Sequence, residues 1–183
     1  MHTAVKLRCG AGFAALLFTC ALGATTIARL SLDEMTGRSE MIISGRITDA
    51  WAAWDAEHKY IWTHYVVTVD NAVKGRVAST VEIAEPGGML DNIGMNIGGG
   101  TGYSRGEQVL IFLERMPNGY LRTAGLGQGK YGIDSQGRLR GIQLKDLDLV
   151  GAGAGEAPVS LTGMTVAEAA SHIAARMRTR AVR

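Results

Sequence analysis

Residues 60–69 alternate in character more regularly than any other part of this sequence, and this alternation most constrains the fold. One set of side chains is mostly apolar: Ile61, Thr63, Tyr65, Val67 and Val69. The other set carries most of the polar and aromatic groups: Tyr60, Trp62, His64, Val66 and Thr68. A period of two is typical of a strand with one face in a core. The segment therefore predicts a β-strand with an apolar face and an aromatic face.

Further strands are predicted on both sides of this segment. Runs of β-branched or apolar residues bounded by Gly, Pro or Asn indicate strands over 41–48, 79–84, 108–113 and 120–124, and a small hairpin over 131–142. The 108–113 strand is apolar throughout, which favours a central position. The spacing predicts a mainly β fold, a small five- to six-stranded OB-like barrel or sandwich. No strand–helix–strand alternation supports a doubly wound fold.

Two helices are predicted from capping boxes, in which a Ser or Thr precedes a Glu by three residues. Ser31 and Glu34 predict a short helix from Leu32 to about Ser39. Thr165 and Glu168 open a C-terminal helix with an apolar face. The expected class is thus β-rich α+β.

The N-terminus has the order of a secretory signal peptide. Two positive charges, Lys6 and Arg8, precede an apolar stretch over Cys9–Leu22, and small residues follow at 23–26. The apolar stretch is shorter than the roughly 20 residues that a membrane span needs. We expect cleavage after Ala24, with a site near Ala28 as the alternative and an uncleaved anchor as a further one.

Cleavage after Ala24 would change the composition of the chain. It removes two of 19 basic residues, leaving 17 to balance 17 acidic ones, and it removes both cysteines, Cys9 and Cys20. A chain without excess positive charge is not expected to bind nucleic acid, and no second segment resembles a membrane span. The expected organisation is a signal peptide at 1–24, a β domain at 25–150, a flexible Gly-Ala linker at 151–160 and a helix at 161–183. Its expected location is periplasmic or secreted.

Several segments together resemble an uncharacterised family of exported bacterial proteins with a small β-barrel. The resemblance covers about Leu30 to Asp134 and is carried by Leu30–Met35, Ile43–Ile47, Tyr65–Gly75, Glu85–Gly88, Gly106–Leu113 and Gly125–Tyr131. It implies export and a barrel, and it implies no particular activity.

The order of strands and of the Lys74-Gly75 and Gly106-Glu107 pairs also looks like the netrin-like barrel of tissue metalloprotease inhibitors. That resemblance implies a barrel with a binding edge and makes protease inhibition an alternative function. Members of that group inhibit through an N-terminal cysteine on the protease zinc. A mature chain without cysteine cannot use that mechanism.

The candidate binding residues are aromatic and closely spaced: Trp51, Trp54, Tyr60, Trp62 and His64. Aromatic rings provide a large contact area at low entropic cost, which suits a protein, peptide or glycan partner. The alternative is that these rings are packed under a Gly-rich loop or the C-terminal helix.

Two glycine-rich segments are candidates for a functional role. The loop around Gly98–Gly100 could form a lip over a site. Residues 127–132 match a dinucleotide fingerprint formally, but a strand and a turn follow instead of the helix that would hold pyrophosphate. The glycines there favour a bulge or a tight bend. No cofactor is predicted.

Catalytic and metal motifs are weak. His58 and His64 with Asp55 or Glu57 match no metal-ligand spacing, so no metal site is predicted. There is no Gly-x-Ser-x-Gly elbow, and no two acidic residues are paired by the sequence.

We therefore expect a non-catalytic exported binding module for a protein, peptide or glycan of the cell envelope. A netrin-like inhibitor and a hydrolase with an unrecognised carboxylate site are the alternatives.

Overall fold

A computed structural model describes residues 25–98, 100–141, 147–150 and 160–181. The predicted signal peptide, with both cysteines, lies outside these residues, as do residues 151–159 of the predicted linker.

Within the described residues there are eleven strands and two helices. In chain order they are β1 (Thr25–Ala28), α1 (Leu32–Arg38), β2 (Met41–Trp54), β3 (Ile61–Lys74), β4 (Thr80–Pro86), β5 (Gly88–Leu90), β6 (Ile93–Met95), β7 (Gln108–Arg115), β8 (Leu121–Thr123), β9 (Lys130–Ile133), β10 (Leu139–Gly141), β11 (Leu147–Val150) and α2 (Val166–Ala181).

Seven of the strands form one antiparallel sheet. Its order is β10–β9–β7–β2–β3–β4, and β8 pairs with the end of β7 that β9 leaves free. β5 and β6 form a separate antiparallel hairpin, and β1 pairs in parallel with β11. The sequence predicts a central position for the 108–113 strand, and this is confirmed because β7 lies between β2 and β9.

The long β2–β3 hairpin dominates the sheet. β2 continues six residues beyond the predicted end at Thr48, through Trp54, because those residues pair with the start of β3. The register shifts between Ile47 and Asp49, which marks a β-bulge. The bulge interrupts the alternation of side chains at that point. The residues before and after it therefore do not follow one continuous period of two, and the sequence predicts only the first part of the strand.

The core divides into two apolar clusters on opposite faces of the sheet. Alternate residues of β7 belong to different clusters. Val109, Ile111 and Leu113 pack with the apolar face of β3, while Leu110 and Phe112 pack with the helices. All five are fully buried. This explains the uninterrupted apolar sequence of β7.

Both predicted helices are present, and both capping boxes form. At α1, the Glu34 backbone N–H donates to the Ser31 hydroxyl and the Glu34 carboxylate accepts from the Ser31 backbone N–H. At α2, Thr165 and Glu168 make the same reciprocal pair. Ile173 of α2 is fully buried in the helix-side cluster, so the C-terminal helix packs on the sheet.

The prediction of a mainly β fold with two helices is confirmed. A closed barrel is not detected among the described strands, whose hydrogen-bonded path runs from β10 to β4. The β5–β6 hairpin and the β1–β11 pair are not predicted from the sequence. In the described part of the chain, no helix has both the length and the apolar character that a membrane crossing requires.

Candidate functional site

The strand register divides the five predicted binding residues between two faces of the β2–β3 hairpin. Trp51 lies opposite His64, and Ala53 lies opposite Trp62, so these three aromatic side chains share one face. Trp54 lies opposite Ile61, which is buried in the core, and therefore belongs to the other face.

Trp51 and His64 form a parallel stack. Their ring centroids are 5.2 Å apart and the planes differ by 6°. His64 is buried, whereas Trp51 is 42% exposed. One face of the indole is therefore covered by the imidazole, and the accessible part of the ring is available to a ligand.

Two further residues fix the His64 ring. Its Nδ1 lies 2.9 Å from Oε1 of Glu82 on β4, and since a carboxylate oxygen accepts, Nδ1 donates. Tyr120 lies edge-on to His64 at 5.4 Å and edge-on to Trp62 at 5.1 Å. Tyr120 was not among the predicted residues, because it is remote in sequence and reaches this surface through the fold.

Tyr60 and Trp54 lie at the end of the hairpin. Tyr60 directly precedes β3 and is 52% exposed. The alternation of β3, extended by one residue, places Tyr60 on the face of Trp62 and His64. Trp54 stacks on His58 at 6.3 Å on its own side of the hairpin. We call Trp51, Tyr60, Trp62, His64 and Tyr120 the aromatic surface.

A second feature, a cleft of about 170 Å³, lies on the opposite face of β3 and β4. Its polar side chains are those of Thr63, Tyr65, Glu85, Asn96 and Thr101, and its apolar lining includes Met95 and Ile97. Residues 96–98 and 100–102 belong to the glycine-rich loop that the sequence analysis considered as a lip. The described parts of this loop do border the cleft.

Glu85 is the acidic residue of the cleft lining and is buried, with 2% of its surface exposed. Its Oε1 accepts from the Thr123 backbone N–H at 2.7 Å and from the Thr123 hydroxyl at 2.6 Å. A hydroxyl has one hydrogen, so the Tyr103 hydroxyl, which contacts Thr123 Oγ1, must be the donor in that pair. Among the described residues, Oε2 of Glu85 has no hydrogen-bond partner.

Lys130, whose positive charge acts on Glu85, is also buried and is only 6% exposed. Its Nζ lies 2.7 Å from Oε1 of Glu107 and donates to the Gly102 carbonyl at 2.6 Å. It also lies 4.2 Å from the centroid of the Tyr103 ring. These contacts occupy the ammonium group, so Lys130 acts on Glu85 through space and not through a direct bond.

Burial raises the pKa of Glu85 from 4.5 to about 7. The hydrogen bonds from Thr123 and the charges of Arg122 and Lys130 oppose this shift but are outweighed. Burial also raises the pKa of Tyr65 and of Tyr103. Glu85 therefore changes its charge near neutral pH.

Thr101 adds an unpaired polar group to the cleft. It is 7% exposed, and its Oγ1 is buried with no hydrogen-bond partner among the described residues. A buried polar atom without a partner is costly and calls for an explanation. Because Thr101 lines the cleft, we consider its hydroxyl a candidate partner for a molecule bound there.

The sequence analysis does not select Glu85, because the predicted strand ends at residue 84 and Pro86 and two glycines follow. The signal was nevertheless present. Val81 and Ile83 alternate onto the buried face, and the same period places Glu85 there too. An acidic residue at an apolar position of a strand marks an unusual site.

The structure gives no support to the other candidate sites considered from the sequence, a metal site and a dinucleotide site, within the described residues. The described residues hold no group of three or more His, Cys, Asp or Glu side chains placed to bind a metal ion. The stretch over 127–132 leads into β9 and not into a helix. Its Gly129 lies against Phe112, where an added Cβ would be 3.0 Å from the Phe112 Cβ, so close packing accounts for that glycine.

Comparison with known proteins gives no assignment, since no family model, no curated protein and no solved structure matches the chain.

Proposed function

We propose that this protein is an exported, non-catalytic binding module that recognises a protein, peptide or glycan of the cell envelope through its aromatic surface. The observation that carries the proposal is the stack of Trp51 on His64, in which a buried ring holds a partly exposed indole. Export is supported by the sequence of residues 1–24.

Preorganisation supports a binding role. Glu82 and Tyr120 hold His64, and His64 supports Trp51, so the indole loses little freedom when a ligand covers it. Binding costs are lowest where contact groups are already fixed, and tryptophan and tyrosine dominate many interfaces for this reason.

The shape of the surface favours an extended partner. Trp51 lies on the sheet face and Tyr60 at the hairpin end, and the two side chains are 42% and 52% exposed. A shallow surface buries enough area only when the partner spans several side chains, as a peptide or glycan chain does.

A barrel-like architecture is part of the proposal. The edge strand β4 and the short strand β8 contact one another through Glu85 and Thr123. This contact supports a sheet that curls toward closure, as in OB-like barrels.

The test is a pull-down of the domain starting at Thr25 with its own cell-envelope fraction, followed by titration of soluble glycans and peptides against tryptophan fluorescence. We expect Trp51→Ala and Tyr60→Ala to weaken capture at least about tenfold, since truncating an aromatic hot-spot residue costs about 2 kcal/mol or more.

Trp54→Ala is the matched control, because Trp54 belongs to the other face of the same hairpin. Retained capture by this variant, with loss in Trp51→Ala, would support the proposal. Equal capture by the wild type and the Trp51→Ala/Tyr60→Ala double variant would refute it.

A further inference from the structure

We propose that the cleft bordered by Glu85 and Thr101 binds a small aliphatic primary amine as its ammonium ion, with the amine's apolar chain against Met95 and Ile97. This site lies on the opposite face of β3 and β4 from the aromatic surface and is independent of the function proposed above.

The first argument is the geometry of hydrogen-bonding groups. Oε1 of Glu85 already accepts two hydrogen bonds from Thr123, which leaves Oε2 as the free acceptor. Thr101 Oγ1 is a buried atom without a hydrogen-bond partner among the described residues, and both Glu85 and Thr101 line the cleft. An ammonium group has three donors and can satisfy both oxygens.

The second argument is charge. The charged and titratable groups that interact with Glu85 are Lys130 on β9, Arg122 on β8, and Tyr65 and Tyr103. Glu107, before β7, acts on the same two tyrosines. Arg122 is paired with Glu114, and Lys130 with Glu107.

With these cations already paired, an ionised Glu85 is one negative charge in excess at this buried position. A bound cation would compensate that charge, whereas a bound anion would add to it.

The third argument is size and lining. A cleft of about 170 Å³ holds a molecule of a few heavy atoms, since a cavity of roughly 150 Å³ accommodates benzene. Met95 and Ile97 provide an apolar wall for a short alkyl chain. The cleft therefore matches both the polar end and the apolar end of a small amine.

The experiment compares n-butylamine with 1-butanol, which has nearly the same shape but no charge at pH 8. Binding to the domain starting at Thr25 is followed by NMR chemical-shift titration at fixed ionic strength. We expect butylammonium to bind at least about tenfold more tightly than 1-butanol at pH 8, since charged hydrogen bonds are the stronger ones.

Binding should also depend on pH in the wild type. Butylammonium requires ionised Glu85, so at pH 6 its affinity should be about tenfold lower than at pH 8, because Glu85 must release a proton on binding. The affinity of 1-butanol should change little over the same range.

Three variants complete the test. Glu85→Gln should abolish the pH dependence and the preference for the amine, and Thr101→Val, which keeps the side-chain shape, should weaken amine binding about fivefold. Asp70→Asn changes an exposed acid of β3 outside the cleft lining and should leave binding unchanged.

Equal affinity for the amine and the alcohol at pH 8, or absence of any saturable amine binding, would overturn the proposal. So would an amine affinity in Thr101→Val equal to that of the wild type. These outcomes need no Glu85 variant, so they hold even if Glu85→Gln is poorly folded.

Discussion

Glu85 and Thr123 join two strands that are not neighbours in the hydrogen-bonded order of the sheet. Both the backbone N–H and the hydroxyl of Thr123 donate to one carboxyl oxygen of Glu85. A buried side chain therefore connects β4 to β8 where backbone pairing does not. Because this acid titrates near neutral pH, it also connects the stability of the fold to pH.

Replacing Glu85 by Gln should remove a pH dependence of stability. The folded state raises the pKa of Glu85 from 4.5 to about 7 and so retains a proton that the unfolded chain releases. This stabilising contribution is complete below pH 4.5 and is lost as the pH rises through 7, a loss on the order of 3 kcal/mol.

Urea denaturation of the wild type and Glu85→Gln at pH 5, 6, 7 and 8 measures this effect. We expect the free energy of unfolding to fall more steeply in the wild type over this range, while Glu85→Gln stays nearly constant. Parallel curves would show that Glu85 does not titrate in this window.

Replacing Lys130 by Met should raise the pKa of Glu85 further. The positive charge of Lys130 favours the ionised form of this carboxyl, and the variant removes that charge while keeping a similar length. NMR titration of the Glu85 carboxyl carbon should show a higher midpoint than in the wild type. If the folded variant showed a midpoint equal to or lower than that of the wild type, the proposed effect of the Lys130 charge on Glu85 would be contradicted.

Replacing Gly45 by Ala should destabilise the sheet by about 2 kcal/mol or more, by overpacking. A Cβ at Gly45 would lie 2.2 Å from the backbone oxygen of Thr68, which cannot move without disturbing β3. Gly132→Ala is the matched control, since its nearest atom, the Arg140 oxygen, would be 4.0 Å away. Thermal melting of both variants tests the difference, and equal melting temperatures would contradict it.

The proposed export can be tested by N-terminal sequencing of the protein recovered outside the cytoplasm. We expect it to begin at Thr25, or at Arg29 if cleavage follows Ala28. Reversing the charges of Lys6 and Arg8 to Glu should reduce export, because the positive n-region is part of the signal. Recovery of only full-length protein in the cytoplasm would contradict the proposal.

Local patterns predicted the elements that depend on local physics. The Ser31–Glu34 and Thr165–Glu168 boxes identify both helix starts because each box is closed by residues three apart. The alternation of β3 and the apolar run of β7 likewise reflect which faces are buried.

Long-range pairing accounts for what the sequence did not predict. The β5–β6 hairpin turns at Asp91 and Asn92, which both have positive φ angles of 48° and 66°, typical of a tight hairpin turn. The sequence analysis predicts no strand there, and glycines interrupt the short apolar stretches at Gly88 and Gly94. Tyr120 joined the aromatic surface through tertiary contacts, which no local pattern contains.

The packing of β7 into both apolar clusters affects how the protein unfolds. Its side chains alternate between the helix-side cluster and the cluster against β3, so one strand holds both layers together. Removing α2 would expose Leu110 and Phe112 to water and weaken the strand that the remaining sheet depends on. We therefore expect all-or-none loss of structure, with no surviving intermediate that keeps the sheet after the helices detach.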